Sequence, residues 1–272
     1  MSSLSEELTG YAAVIVTGGS SGIGKSFIKR VAKLHPGLLI CNLSRSVPDI
    51  NLCQLKLRHV PCDLSDQGAL GAAVAEVLRL LNVEAPSGRV LLINNSGFGG
   101  YGRFAEVNLA HQLEMIDVNV RAVVELTGRL LPILKARGGA ILTVASTAAF
   151  QPTPYLATYG ATKAFVLHWN LALNEELRGS GVRALALCPG PTSTEFFRRA
   201  GLQQGSVSDS LGQTSEAVVE EALQALVRGR AQVVTGWTNK LMVAVSSKLS
   251  KPLATRIGAK ILERYRLRKA AL

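Results

Sequence analysis

Short apolar runs alternate with longer, helically patterned segments along most of this chain. The runs are Ala12 to Thr17, Leu38 to Leu43, Arg58 to Cys62, Arg89 to Asn94, Ala140 to Ala145, Val182 to Cys188 and Ala231 to Thr235. They are mostly apolar throughout rather than alternating, so each is expected to be a strand buried on both faces. Between them, Gly24 to Leu34, Asp66 to Leu81, Asn119 to Ala136, Tyr159 to Leu177 and Ser215 to Val227 carry apolar residues at helical spacing. A β, α, β, α order of this kind predicts an α/β fold: a Rossmann-type, doubly wound parallel sheet of about seven strands with helices on both faces. At 272 residues and 47% hydrophobic content there is material for one large core. Residues 1–237 are expected to form one dinucleotide-binding and catalytic domain, and 238–272 a basic C-terminal helical extension.

Charge is distributed unevenly. From Lys240 to Leu272 there are nine basic residues against one acid, which accounts for most of the net charge of +11. The rest of the chain is nearly neutral, and this argues against a nucleic-acid groove spread over the fold. There is no apolar run of ~18 residues, so a transmembrane helix is not expected. The opening MSSLSEELTG holds acids and no apolar segment, unlike a signal or transit peptide. Cys41, Cys53, Cys62 and Cys188 show no paired spacing, and they read as core thiols of a reducing, cytoplasmic setting. His35, His59, His111 and His168 have no spacing that suits a metal, and none is expected.

Directly after the first run comes Thr17-Gly18-Gly19-Ser20-Ser21-Gly22-Ile23-Gly24, opening into a helix. Glycines at a strand-to-helix turn let the backbone approach a pyrophosphate, whose charge is held by free N–H groups and the helix dipole. Gly18, Ser20, Ser21, Gly22 and Ile23 are the candidate contacts; an ordinary tight turn is the alternative. The second run ends Asn42-Leu43-Ser44-Arg45, where an NAD site would place an acid on the ribose 2′-hydroxyl. Arg45 stands there instead, and its guanidinium suits the 2′-phosphate of NADP, aided by Ser20. A solvated surface arginine is the competing reading. Asp63 suits an adenine-edge acceptor or, equally, a cap for the helix from Asp66.

Tyr159 and Lys163 are four apart and share one face of a helix. A phenol has a pKa of ~10, and a neighbouring ammonium can lower it by about one to three units toward a useful proton donor and acceptor. Ser146, at the C-terminal end of a strand, can hold a substrate oxygen.

With these motifs together the chain resembles the short-chain dehydrogenase/reductase family over roughly Ala12 to Gly236. The resemblance rests on TGGSSGIG at Thr17 to Gly24, NNSG at Asn94 to Gly97, Asn119 in DVNV, Ser146, YGATK at Tyr159 to Lys163, and PGPTST at Pro189 to Thr194. It implies hydride transfer to or from a carbonyl carbon, with Tyr159 as acid and base. Asn94 would support the cofactor-binding strand ends, and Asn119 would hold a water relaying protons from Lys163, which would also bond the nicotinamide ribose. Pro189, Gly190, Thr192 and Thr194 would border the nicotinamide carboxamide. The chain departs from the family pattern at Ser96, usually alanine, and at Ala122, often glycine.

The loops Phe98 to Phe104, Thr147 to Thr158 and Pro191 to Gln213 would wall the substrate. They hold Phe98, Tyr101, Phe104, Phe150, Pro152, Pro154, Tyr155, Phe196 and Phe197. Such a lining favours a hydrophobic carbonyl or alcohol over a sugar or a dianion. A homo-oligomer is expected. In the tail, Leu253, Ile257, Ile261 and Tyr265 recur every four residues among basic ones, the pattern of an amphipathic helix able to lie on an anionic membrane. Packing on its own domain or on a partner subunit are the alternatives. For the whole chain, a catalytically silent NADP sensor and a membrane-peripheral scaffold stand against the enzyme.

Overall fold

A computed structural model describes residues 4–51, 55–192 and 212–267. Seven strands form one parallel sheet in the order β3-β2-β1-β4-β5-β6-β7, so the strand order reverses between β1 and β4. They are β1 (Tyr11–Thr17), β2 (Leu39–Ser44), β3 (Leu57–Pro61), β4 (Arg89–Asn94), β5 (Gly139–Val144), β6 (Val182–Cys188) and β7 (Gln232–Val234). Register at the centre is fixed by β1, where Ile15 pairs with Cys41 on β2 and with Leu92 on β4. Every pairing is parallel, in keeping with the apolar runs of the central strands.

The helices are α1 (Leu4–Thr9), α2 (Gly22–Leu34), α3 (Gln67–Glu84), α4 (Leu109–Ile116), α5 (Ala122–Arg137), α6 (Ala157–Glu176), α7 (Ser215–Val227), α8 (Trp237–Ser246) and α9 (Lys251–Leu267). Successive residues of β1 serve opposite faces. Ala13 and Ile15 pack with Leu70, Val77 and Leu81 of α3 and Leu130 of α5. Val14 and Val16 pack with Phe27 and Val31 of α2 and Val219 and Leu223 of α7. Both layers are apolar over the central strands, but the edge strand β3 departs from the expected two-sided burial: Arg58 and Pro61 are exposed, because nothing pairs with its outer side.

Two further features depart from the sequence expectation. The helix expected from Asn119 is preceded by α4 and by a turn of π-helix, Asp117–Arg121, which places Asn119 inside the irregular turn. Asn108 starts α4 by accepting from the N–H groups of Ala110 and His111. α4 escaped the periodicity because Leu109, Leu113 and Ile116 are exposed, so its apolar residues do not mark a core face. Asp63 does not cap α3. Asp66 does, accepting from Ala69 N, while Asp63 accepts from Ser65 N and Oγ in the loop before it.

Candidate active site

The site lies at the C-terminal ends of β1, β4, β5 and β6, where open parallel sheets leave a crevice. A cleft of about 490 Å³ opens there, lined at one end by Gly18, Ser20, Ser21, Gly22 and Ile23 and at the other by Ser146, Tyr159, Lys163 and Pro189 to Thr192. A second cavity, about 370 Å³, sits at the opposite ends of the strands around Tyr11, Arg89 and Arg183, and it holds none of the expected site residues.

Backbone geometry builds the glycine turn. Gly18 has φ +68°, a conformation that costs a side-chain-bearing residue, and Gly18 N donates to Leu43 O. A Cβ on Gly24 would run into the Gly18 carbonyl and the Asn95 amide, so α2 can approach the turn only with glycine there. Two side chains missed in the sequence hold this turn. Asn42 Oδ1 accepts from Gly19 N at 2.8 Å. Asn95 Nδ2 donates to the carbonyls of Thr17 and Gly18, while Thr17 Oγ1 accepts from the N–H groups of Asn95 and Ser96. Asn94, the expected brace, is turned away and donates to Thr127 Oγ1 on α5. The NNS run contained the signal, because side chains at a strand end alternate and only one of two adjacent asparagines can face the turn.

Arg45 follows β2 and is two-thirds exposed outside the cleft lining, its Nη1 3.9 Å from both Asp63 Oδ2 and Glu114 Oε1. These contacts are long and solvated, so they restrain Arg45 only weakly.

Ser146, Tyr159 and Lys163 come together on one wall. Ser146 caps a short 3₁₀ turn, Thr147–Ala149, accepting from Ala148 N. Its hydroxyl lies near the Tyr159 phenol and works against the rise that burial causes in the phenol's pKa. Lys163 is buried, with Nζ 5.9 Å from the Tyr159 ring centroid and donating to Val144 O at 2.8 Å. Burial pushes the phenol up to about 12, against the lowering by Lys163 expected from spacing, and draws the ammonium down to about 8. The physical reason is that desolvation opposes either charge, and the neighbouring Ser146 hydroxyl offsets it only in part for the phenol. A neutral phenol beside a hydroxyl is equipped to donate a proton at neutral pH.

Asn119 is fully committed: Nδ2 donates to Phe98 O and Thr162 Oγ1, and Oδ1 accepts from Phe98 N. It thus fixes the loop after β4 to α6. Gly97 sits in the gap, where a Cβ would stand 3.0 Å from Asn119 Oδ1 and 3.1 Å from Lys163 Nζ. Gly190 is wedged against Asn239 of α8, which anchors to Thr235 O, and Thr192 Oγ1 donates to Gly190 O. Thr194 lies outside the described residues, as do Phe196, Phe197 and Cys53. Of the aromatic loop residues, Phe98 and Tyr101 line the cleft, joined by Leu156 and by Met242 and Leu262 from the C-terminal extension. Phe104 is exposed on the surface.

The family model described as short chain dehydrogenase matches residues 12–205. The chain belongs to the short-chain dehydrogenase family. It is therefore related to oxidoreductases acting on small carbonyl and alcohol compounds with a nicotinamide cofactor. The ketoacyl reductase HetN of Nostoc sp. is 31% identical over 255 residues, covering 88% of this chain and 85% of that protein. Serine 3-dehydrogenase of Rhizobium radiobacter is 30% identical over 203 residues, covering 71% and 78% respectively. The solved short-chain dehydrogenase of Sphingobium yanoikuyae in complex with NADPH is 26% identical with a TM-score of 0.70, over 88% of this chain and 96% of that one. Further solved neighbours carry NADP, NADH or NAD, so both dinucleotides occur on this fold.

Proposed function

We propose that this short-chain dehydrogenase is NADP(H)-dependent and interconverts a hydrophobic carbonyl compound and its alcohol, with Tyr159 as acid and base. The observation that carries the reading is the meeting of Ser146, Tyr159 and Lys163 on one wall of the same cleft as the glycine turn. That turn fits a dinucleotide: it has no room for a side chain at Gly24, and Ser20 to Ile23 face the cleft at the N-terminus of α2. NADP(H), when bound, supplies or accepts the hydride. In reduction, Ser146 and Tyr159 hold the carbonyl oxygen and the neutral phenol gives its proton to the oxygen as negative charge builds there. Lys163 places a cation behind the phenol and stabilises the phenolate left after transfer. In oxidation the phenol must first ionise, which its burial opposes.

Arg45 supports NADP over NAD, because β2 ends in a guanidinium where a ribose-binding acid would stand. The lining of Phe98, Tyr101, Leu156, Met242 and Leu262 supports an apolar substrate, in keeping with the ketoacyl reductase among the relatives rather than the serine dehydrogenase. Residues 1–237 would form the dinucleotide-binding and catalytic domain. The extension from residue 238 would complete the cleft wall through Asn239, Met242 and Leu262. Exposed Leu109, Leu113 and Ile116 on α4 and Phe165 on α6 support a homo-oligomer. The test is NADPH oxidation, followed by absorbance, against 3-oxoacyl, aromatic and steroid-like ketones and against a small polar carbonyl compound. The account expects turnover with the apolar set. Activity confined to the polar compound, or to NADH, would contradict it.

A further inference from the structure

The helices α8 and α9 share one surface pattern that catalysis does not use. On α8, Trp237, Leu241 and Val245 are 76%, 58% and 54% exposed; on α9, Leu253, Ile257 and Ile261 are 46%, 43% and 53% exposed. In each helix the three residues are four apart and form a single stripe. A basic residue immediately precedes stripe positions on both: Lys240 before Leu241, Arg256 before Ile257 and Lys260 before Ile261. At about 100° per residue, the cations flank the stripe on one side. On the other side, again one residue on, stand Met242 and Leu262, which line the cleft. The apolar surface therefore runs from the cleft lining out onto the exposed face of both helices.

The inner side of α9 is tied down. Tyr101 Oη donates to Leu262 O at 2.6 Å, and Lys251 Nζ donates to Phe150 O at 2.8 Å. The outer side is left with its stripe and its charge. Lys240 is paired with Glu221 on α7, but Arg256 and Lys260 form no ion pair with any described acid. From Lys240 onward the sequence has Glu263 as its one acid against nine basic residues. A second protein surface would have to match both a large apolar stripe and this excess of positive charge. A bilayer carrying anionic headgroups does so directly, with apolar side chains at the acyl boundary and flanking cations among the phosphates. Among the described residues no helix is long and apolar enough to cross a membrane, so the arrangement is one that lies on it.

We propose that the outer faces of α8 and α9 dock on an anionic lipid surface, holding the cleft mouth against the bilayer so that a lipophilic carbonyl compound enters past Met242 and Leu262. The docking stands on charge and exposure alone; the entry of substrate rests on the reading under Proposed function.

The experiment is co-sedimentation of the full-length protein with vesicles of phosphatidylcholine alone, or with phosphatidylserine as one lipid in three, at low and high salt. The proposal predicts binding to the anionic vesicles that weakens with salt and little binding to the neutral ones. Reversing two cations, Arg256→Glu with Lys260→Glu, should lower the partition at least about tenfold. Ile257→Glu with Ile261→Glu should abolish it. Wild-type protein that stays in the supernatant throughout, or binding unaffected by either pair of changes, would overturn the proposal. So would light scattering showing an oligomer, without vesicles, that Ile257→Glu with Ile261→Glu breaks apart, because a second copy would then cover the stripe. Both variants change exposed residues, and each should reduce a short, water-soluble ketone at the wild-type rate, which shows that the fold is intact. If the wild type reduces no ketone at all, the redox reading fails while the sedimentation result stands by itself.

Discussion

Replacing Lys163 with methionine should stabilise the protein while removing its activity. Burial draws the ammonium from its ordinary 10.5 down to about 8. Each tenfold in proton affinity is about 1.4 kcal/mol, so the charged side chain costs the folded state about 3 kcal/mol at neutral pH. Methionine is unbranched, apolar and of similar length, and it forfeits chiefly the charge-assisted hydrogen bond to Val144 O, worth about 2 kcal/mol. The net gain is about 1 kcal/mol, or a rise in Tm of roughly 2–4 °C for a domain of this size. The pH dependence carries the sign. Because the folded pKa lies below the unfolded one, the unfolded chain binds the extra proton between pH 8 and 10.5, and wild-type stability from this group rises with pH across that window. The variant has no such group, so its advantage should be full at pH 7, shrink above pH 8 and be reversed by about pH 10.5, where only the lost hydrogen bond remains. Thermal and urea unfolding of both proteins at pH 7 and pH 10 measure this, and other titrating groups cancel in the difference. A variant less stable than wild type at pH 7, or a gap that does not change with pH, would refute the assignment of Lys163 as a charge held at a cost.

The same depression predicts that ketone reduction is level up to about pH 8 and falls above it as the ammonium is lost, while the phenol, pushed up to about 12, stays a donor throughout; a pH profile of kcat checks both. Asn95→Leu leaves the Thr17 and Gly18 carbonyls without their partner and should weaken cofactor binding about tenfold and cost about 1–3 kcal/mol of stability, read by titration calorimetry and urea melts. Arg45→Asp should reduce the preference for NADP over NAD by roughly five- to thirty-fold, less than a buried phosphate clamp would give because Arg45 is mostly exposed, and the ratio of kcat/KM for the two cofactors measures it.

Much of this was legible before any coordinates. The strands were, because residues such as Ile15 and Leu92 are covered on both sides of the sheet and nothing polar interrupts their runs. So was the meeting of Tyr159 with Lys163, since four residues along a helix is a distance that needs no tertiary information. Contacts across the fold were not. Asn42 and Asn95 hold the glycine turn from residues 23 and 77 positions away, and no local pattern marks which of two adjacent asparagines faces it. The direction of the Tyr159 perturbation also escaped, because spacing reveals the neighbouring cation but not how far both groups are withdrawn from water. The contribution of Met242 and Leu262 to the cleft depends on how α8 and α9 fold back over it, and their sequence reads equally well as a free amphipathic tail.

The most direct test of the account compares Tyr159→Phe with the wild type in two measurements on the same preparations: the Kd for NADPH by fluorescence titration, and kcat for reduction of a hydrophobic ketone. The phenol is placed as proton donor to the substrate oxygen, so the account predicts a Kd within about twofold of wild type and a kcat lower by about 10² to 10⁴. A kcat within tenfold of wild type, with the cofactor still bound, would show that the proton comes from another group and would contradict the central claim.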